Sequence, residues 1–292
     1  MLAALLAAVL PVLLTAGIGY VWTRSGRPLD GATVTPLVAD IGTPCLIFST
    51  LARTAIPPEA VATTAGAALA AVAGFAAVGA AVLATAGLRL RTYLPSLTFP
   101  NAGNLGLPLA LYAFGPEGLG HAIVFFTITS IGNYTIGQAM AAGAVSWRGL
   151  ARMPILYAAA LGLAASIGHV EMPRWLANTV GTIGNLTVPL MLMMLGSSLA
   201  RLRVASLGRA AAVAAVRLCI GALIGTASAM LFHLDGIARP VLILQSAMPV
   251  AVYNYLFALR WNNEPEEIAG LVVISTVGAM VTLPALLSLL LG

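Results

Sequence analysis

Lysine is absent from these 292 residues and charge of either sign is scarce: the 14 basic side chains are all arginine, 9 are acidic, and charged residues make up 8% of the chain. A water-soluble surface carries about 25–35% charged residues, so this composition excludes a soluble globular domain. Cysteine is nearly missing too. Cys45 and Cys219 both fall inside apolar stretches, which excludes a disulfide framework and leaves free thiols as the expectation. No segment shows the period-two alternation of a membrane barrel. Neither HExxH nor GxSxG occurs, and no acidic pair lies within an apolar stretch, so the groups of a membrane hydrolase are missing. A ring-forming filter motif is likewise lacking, which argues against a channel.

What the chain has in abundance is apolar sequence, 60% of residues, with a mean hydropathy of +0.99. Helices of about 20 residues cross a hydrocarbon layer of roughly 30 Å. Ten such spans are expected, near 2–22, 33–53, 61–87, 93–115, 120–144, 152–169, 176–199, 208–232, 238–261 and 268–291. The fold class is therefore an all-α integral membrane protein, with lipid as its solvent and little chain left over for outer domains. Arginine placement sets an orientation. One side of the ten-span layout collects Arg24, Arg27, Arg89, Arg91, Arg148, Arg152, Arg201, Arg203, Arg209 and Arg260, the other Arg53, Arg174 and Arg239. The first side is read as cytoplasmic and both termini as outside it. The net charge of +5 is thus a topology signal, with no nucleic-acid partner implied.

The halves 1–151 and 152–292 match each other in order. PEGLGHAIVFFT (116–127) aligns with PEEIAGLVVIST (265–276), and DIGTPCLIF (40–48) with NLTVPLMLM (185–193), pairing Pro44 with Pro189 and Asp40 with Asn185. Five spans per half, an odd number, give the two repeats opposite orientations, the layout of secondary transporters in which paired broken helices mark a midplane site. The breaks are legible. PNAGNLGLP (100–108) sets two prolines and two glycines around Asn101 and Asn104 in the fourth span, and PVAVYN (249–254) places Pro249, Tyr253 and Asn254 at the matching point of the ninth. Backbone freed in this way survives at depth only inside protein or along a wet cavity. With amide side chains and half-helix N-termini beside it, the place suits an anion.

Individual residues carry competing readings. Asp40 is the carboxylate well inside a span: either a proton carrier whose pKa burial raises, or a residue near an interface because the second span starts later. Arg217 either faces a carboxylate substrate or, as the favoured reading, snorkels a turn or two below the cytoplasmic surface. Asn133 and Thr129, one turn apart in the fifth span, either complete a polar site or bond across helices, and Gln138 is a weaker case of the same kind. Met191, Met193 and Met194 are read as packing, with an adaptable wall for an apolar substrate tail as the alternative. Gly221 and Gly225 are read as a close helix contact. His121, His169 and His233 are read as interfacial, too scattered for a metal.

IGTPCLIFSTLA in the second span, GNLGLPLALYAFG in the fourth, VPLMLMMLGSSLA in the seventh and SAMPVAVYNYLFA in the ninth resemble the auxin efflux carrier family, and more distantly the bile-acid:sodium symporters of the bile, arsenite and riboflavin transporter superfamily. The resemblance covers essentially the whole chain and implies a bacterial inner-membrane carrier. It implies a scaffold of spans 1, 2, 6 and 7, which can support a homodimer, and a transport domain of spans 3–5 and 8–10 that moves as an elevator. The family's crossover asparagines fall on Asn104 and Asn254, its crossover prolines on Pro100 and Pro249. Sodium-coupled relatives place a carboxylate in the ninth-span crossover, where this chain has Gln245, Ser246, Tyr253 and Asn254. That departure speaks against sodium and leaves the proton as the coupling ion to test. The expected function is a secondary carrier for a small organic anion, an auxin-like acid or a dicarboxylate, held at Asn101, Asn104, Asn133, Asn185, Tyr253 and Asn254. A sodium-coupled symporter of the bile-acid type is the alternative. No cofactor or metal is expected.

Overall fold

The computed structural model describes residues 2–27, 29–54, 56–142, 147–202 and 206–291. Arg203 and Ser146, the latter in the short connection between the halves, lie outside the described residues. Among those described there is no strand, and one isolated β-bridge.

Twelve helices are labelled in chain order: α1 (Leu2–Arg24), α2 (Gly31–Arg53), α3 (Pro58–Thr85), α4 (Leu90–Thr98), α5 (Ala102–Met140), α6 (Trp147–Ala151), α7 (Pro154–Ile167), α8 (Arg174–Arg201), α9 (Leu207–Leu231), α10 (Ala238–Ser246), α11 (Val252–Arg260) and α12 (Pro265–Leu290). Seven of these, α1, α2, α3, α5, α8, α9 and α12, are long and apolar enough to cross a membrane. Proline opens α3, α7 and α12, where its missing N–H costs nothing. Asp30 caps α2, its carboxylate accepting from the Ala32 N–H at 3.0 Å and from the Thr33 hydroxyl; these bonds hold its pKa below the ordinary aspartate value.

The helices expected for the fourth and ninth spans are short because each is broken. α10 and α11 have 9 residues each, about 13 Å of helix, less than half a hydrocarbon layer. α4 stops at Thr98 because Phe99 precedes Pro100, and a residue before proline is pushed out of the helical region; Phe99 is extended at φ −110°, ψ 104°. α5 bends sharply at Gly115, whose φ of 68° and ψ of −162° suit glycine alone, and Pro116 restarts the helix. π-helical turns at Leu37–Gly42 and Asn133–Gly137 interrupt α2 and α5, and a third at Ala102–Gly106 opens α5. Such bulges are frequent at functional sites, and all three lie beside the cavity described below.

Contacts divide the helices into two groups. α1 packs on α8, and α2 on α7 and α8. The second group holds α3 with α4, α5 and α9, α9 with α10 and α12, α10 with α5, and α11 with α12. Two of the three apolar clusters lie wholly in the second group, one around Phe75, Phe125 and Leu242, the other around Leu83, Leu97 and Leu271. The third cluster joins the groups through Val12, Ile47, Leu109 and Leu192. In lipid such packing is stabilised by dispersion and close approach more than by water exclusion, which explains why small residues line the helix contacts. Cys45 and Cys219 are free thiols.

Candidate functional site

The two breaks meet. Pro100 and Val250 form an antiparallel bridge, and the Asn101 N–H donates to the Pro249 carbonyl at 2.7 Å. Two further bonds secure the crossing: the Asn254 amide donates to the Phe99 carbonyl at 3.2 Å, and the Val250 N–H donates to the Ser275 hydroxyl at 3.1 Å. Each freed backbone group named here therefore has a protein partner, as burial demands.

A cavity of about 760 Å3 reaches this crossing from the start of α2, from α6 and from the end of α8. Its inner wall includes Pro100, Asn101, Asn104, Asn133, Tyr134 and Tyr253; Arg152, just after α6, and Arg201, at the end of α8, also line it. Met191 and Met194 also line the cavity, Met191 as part of the buried apolar core that the packing reading expects, whereas the Met193 backbone faces Gly19 of α1. The chain leaves α4 and re-enters at α5, and leaves α10 and re-enters at α11, so the wall receives the N-terminal ends of α5 and α11 together. Each carries unpaired N–H groups and a partial positive charge.

Single amide atoms here lack protein partners. Asn101 is buried with its Nδ2 unpartnered, and the Oδ1 atoms of Asn133 and Asn254 are in the same condition. An unmatched buried amide atom costs about 1–3 kcal/mol, so a bound guest or water that pairs with it gains correspondingly. Asn101 and Asn133 line the cavity directly. The Tyr134 and Tyr253 rings stand beside each other on this wall, their centroids 6.2 Å apart and their planes inclined by 60°. Thr129 also lines the cavity, but its hydroxyl donates to the Phe125 and Phe126 carbonyls at 3.1 and 3.0 Å, so its proton is spent within its own helix.

Five of the expected site residues, Pro100, Asn101, Asn104, Asn133 and Tyr253, share this wall; Pro249 and Asn254 belong to the crossing behind it. Asn185 does not join them. It lies on the exposed face of α8, while the buried face carries Gly184, Thr187, Val188 and Met191. Its alignment with Asp40 concerns position along a helix and does not set which side of that helix meets the cavity. Asp40 lies inside α2, which starts at Gly31, two residues earlier than expected. It lines the cavity as an exposed residue.

Three residues differ more sharply. Arg217, expected to snorkel, is fully buried, because α3, α4 and α10 enclose its face of α9. Gln245 is also fully buried, with both amide atoms unpartnered, near the start of α5. His121, read as interfacial, is 4% exposed and shares a 3.0 Å hydrogen bond with Thr64 of α3. Hydropathy carries no signal for any of the three, since each turns on which helices stand around it.

A profile of the membrane transport protein family matches residues 4–144 and 138–287. Among individual relatives, a protein of Methanothermobacter thermautotrophicus described as an uncharacterized transporter is 28% identical over 191 residues, 63% of each chain. Auxin efflux carrier component 3a of rice, Oryza sativa subsp. japonica, is 30% identical over 145 residues, 47% of this chain and 23% of its own. Auxin efflux carrier component 1 of Arabidopsis thaliana is 28% identical over the same length, again 23% of its own. The alignments thus span under two thirds of the archaeal relative and about a quarter of the plant ones.

Proposed function

Because this chain belongs to the membrane transport protein family, with auxin efflux carriers among its relatives, we propose that it is a secondary carrier for a small organic anion, a carboxylate, working by alternating access. Membership puts the chain with transporters and not with enzymes. The observation that carries the anion reading is the convergence of the α5 and α11 N-termini, with the unpartnered Nδ2 donor of Asn101, on one face of the cavity. Neutral amides and helix ends hold a carboxylate without a permanent cation beside it, which suits a site that must also release. Arg152 and Arg201 at the outer part of the cavity raise the local anion concentration. On the arginine bias that face is cytoplasmic, so this conformation is inward-open, in a bacterial inner membrane with both termini on the far side.

The halves 1–151 and 152–292 are two inverted repeats. In this reading α1, α2, α7 and α8 form the scaffold, and the second group of helices moves past it as an elevator. Support comes from the two-group packing and from the antiparallel pairing of the two breaks. The exposed apolar faces of α7 and α8, Leu161 and Trp175 among them, meet lipid or a second copy in a homodimer.

The test is counterflow in proteoliposomes with indole-3-acetate and succinate as labelled probes, at two pH values, with sodium and with choline. Unlabelled probe inside is expected to accelerate entry of label. Absence of that acceleration, together with no thermal shift by either acid, would remove the anion reading. Asp40 is the proton-coupling residue of this proposal, being the carboxylate in the cavity wall. Asp40→Asn is expected to flatten the pH profile of counterflow while probe-induced thermal stabilisation persists; an unchanged profile would reject proton coupling through Asp40. Rates that rise several-fold with sodium would favour the bile-acid-type symporter instead.

A further inference from the structure

The crossing has two faces. The N-termini of α5 and α11 lie on the cavity side; the C-termini of α4 and α10 lie on the other, and there the chain has placed a guanidinium. Arg217 is the largest fully buried side chain among the described residues. One terminal nitrogen donates to the Leu97 carbonyl at 3.0 Å, the other to the Ser246 carbonyl at 2.7 Å, which are the last turns of α4 and α10. The plane lies over the Phe75 ring at 4.7 Å. Among the described residues no carboxylate pairs with it: the two ion pairs are Arg89 with Glu264 and Arg209 with Glu267. Its charge is instead balanced by two helix C-termini and a π face, each partially negative. Gly221 and Gly225 of α9 let Ser246 approach closely enough for this; a Cβ on Gly221 would sit 2.4 Å from the Ser246 carbonyl oxygen.

Carbonyl oxygens at the ends of broken helices are the ligands by which carriers hold a mobile inorganic cation. Here those oxygens are already taken. The geometry points to Arg217 as a built-in cation: a covalently attached charge that fills the place between the α4 and α10 C-termini and keeps the crossing assembled without a bound sodium ion. Arg217 is a positioning residue. It acts on the anion through α4 and α10, whose ends fix the pairing of Pro100 with Val250 and thereby the aim of the α5 and α11 N-termini. This inference rests on the crossing as the transport site, and it gives a physical reason for sodium independence that a missing carboxylate alone does not.

Melting of purified protein and counterflow are measured in sodium chloride, choline chloride and choline chloride with millimolar guanidinium or methylguanidinium. The wild type is expected to melt and transport alike in all of these. Arg217→Ala is expected to melt about 5 °C lower, with counterflow down about tenfold or more, and guanidinium or methylguanidinium is expected to restore part of both in that variant alone. Arg217→Lys, which keeps a charge within reach of both carbonyls, supplies the comparison if Arg217→Ala does not fold: it is expected to fold and to transport without sodium, whereas Arg217→Gln is expected not to transport. A wild type that needs sodium, or an Arg217→Gln variant that transports as the wild type does in choline, overturns the inference. Failure of the wild type to carry any anion would instead strike the proposed function, and the melting comparison would still decide the role of Arg217.

Discussion

Asn254→Ala is expected to abolish measurable counterflow, a loss of about 10- to 100-fold, in a protein that still folds. The residue is 3% exposed, and its amide is the side-chain link between the start of α11 and the carbonyl of Phe99, which no helix can satisfy because the chain has just left α4 ahead of Pro100. Alanine leaves that carbonyl buried without a donor, at a cost of about 1–3 kcal/mol. The cost falls on the crossing and not on the helix bundle, since the three apolar clusters do not include Asn254. Transport needs the two half-helix N-termini aimed at one point, so a loosened crossing is felt first in rate. Asn104→Ala acts from the cavity side, where its half-buried amide lines the wall, and is expected to weaken the response to the anion in the same assay. Wild-type counterflow in both variants would remove the crossing from the mechanism.

The second large effect is on stability. Gly196→Ala is expected to lower the melting temperature by about 5–10 °C. Helices α1 and α8 touch backbone to backbone: a Cβ on Gly196 would sit 1.8 Å from the Ala16 carbonyl oxygen and 2.8 Å from the Tyr20 nitrogen. From the other side, a Cβ on Gly19 would meet the Met193 carbonyl oxygen at 2.1 Å. No side chain can rotate away to make room, so the two helices must part along their whole contact, and overpacking of that kind costs about 1–3 kcal/mol or more. Gly17→Ala is the control, two residues before Gly19 on the same helix with nothing within 4 Å of the added carbon, and it is expected to leave melting unchanged. If Gly196→Ala melts with the wild type, the α1–α8 contact is not as close as described.

Much of this was legible residue by residue. Where α4 ends follows from the local clash between Pro100 and Phe99, and the first bend of α5 from Gly115 followed by Pro116; neither depends on any distant contact. The concentration of Asn101, Asn104 and Tyr253 beside those breaks was readable for the same reason. The expectation that Asn185 would join them failed because a helical position leaves the direction of its side chain to the neighbours, and those of α8 cover the opposite face.

By itself, then, the sequence determined that the chain is helical, belongs in lipid, and breaks two of its helices at prolines flanked by amides, because composition and backbone sterics act over a few residues. The tertiary structure alone decided that Arg217 is buried against two carbonyls, that Gln245 and His121 are enclosed, and that Asp40 faces a cavity. Each of these depends on which helices surround a side chain, and residues as far apart as 120 positions, Arg217 and Leu97, set that enclosure.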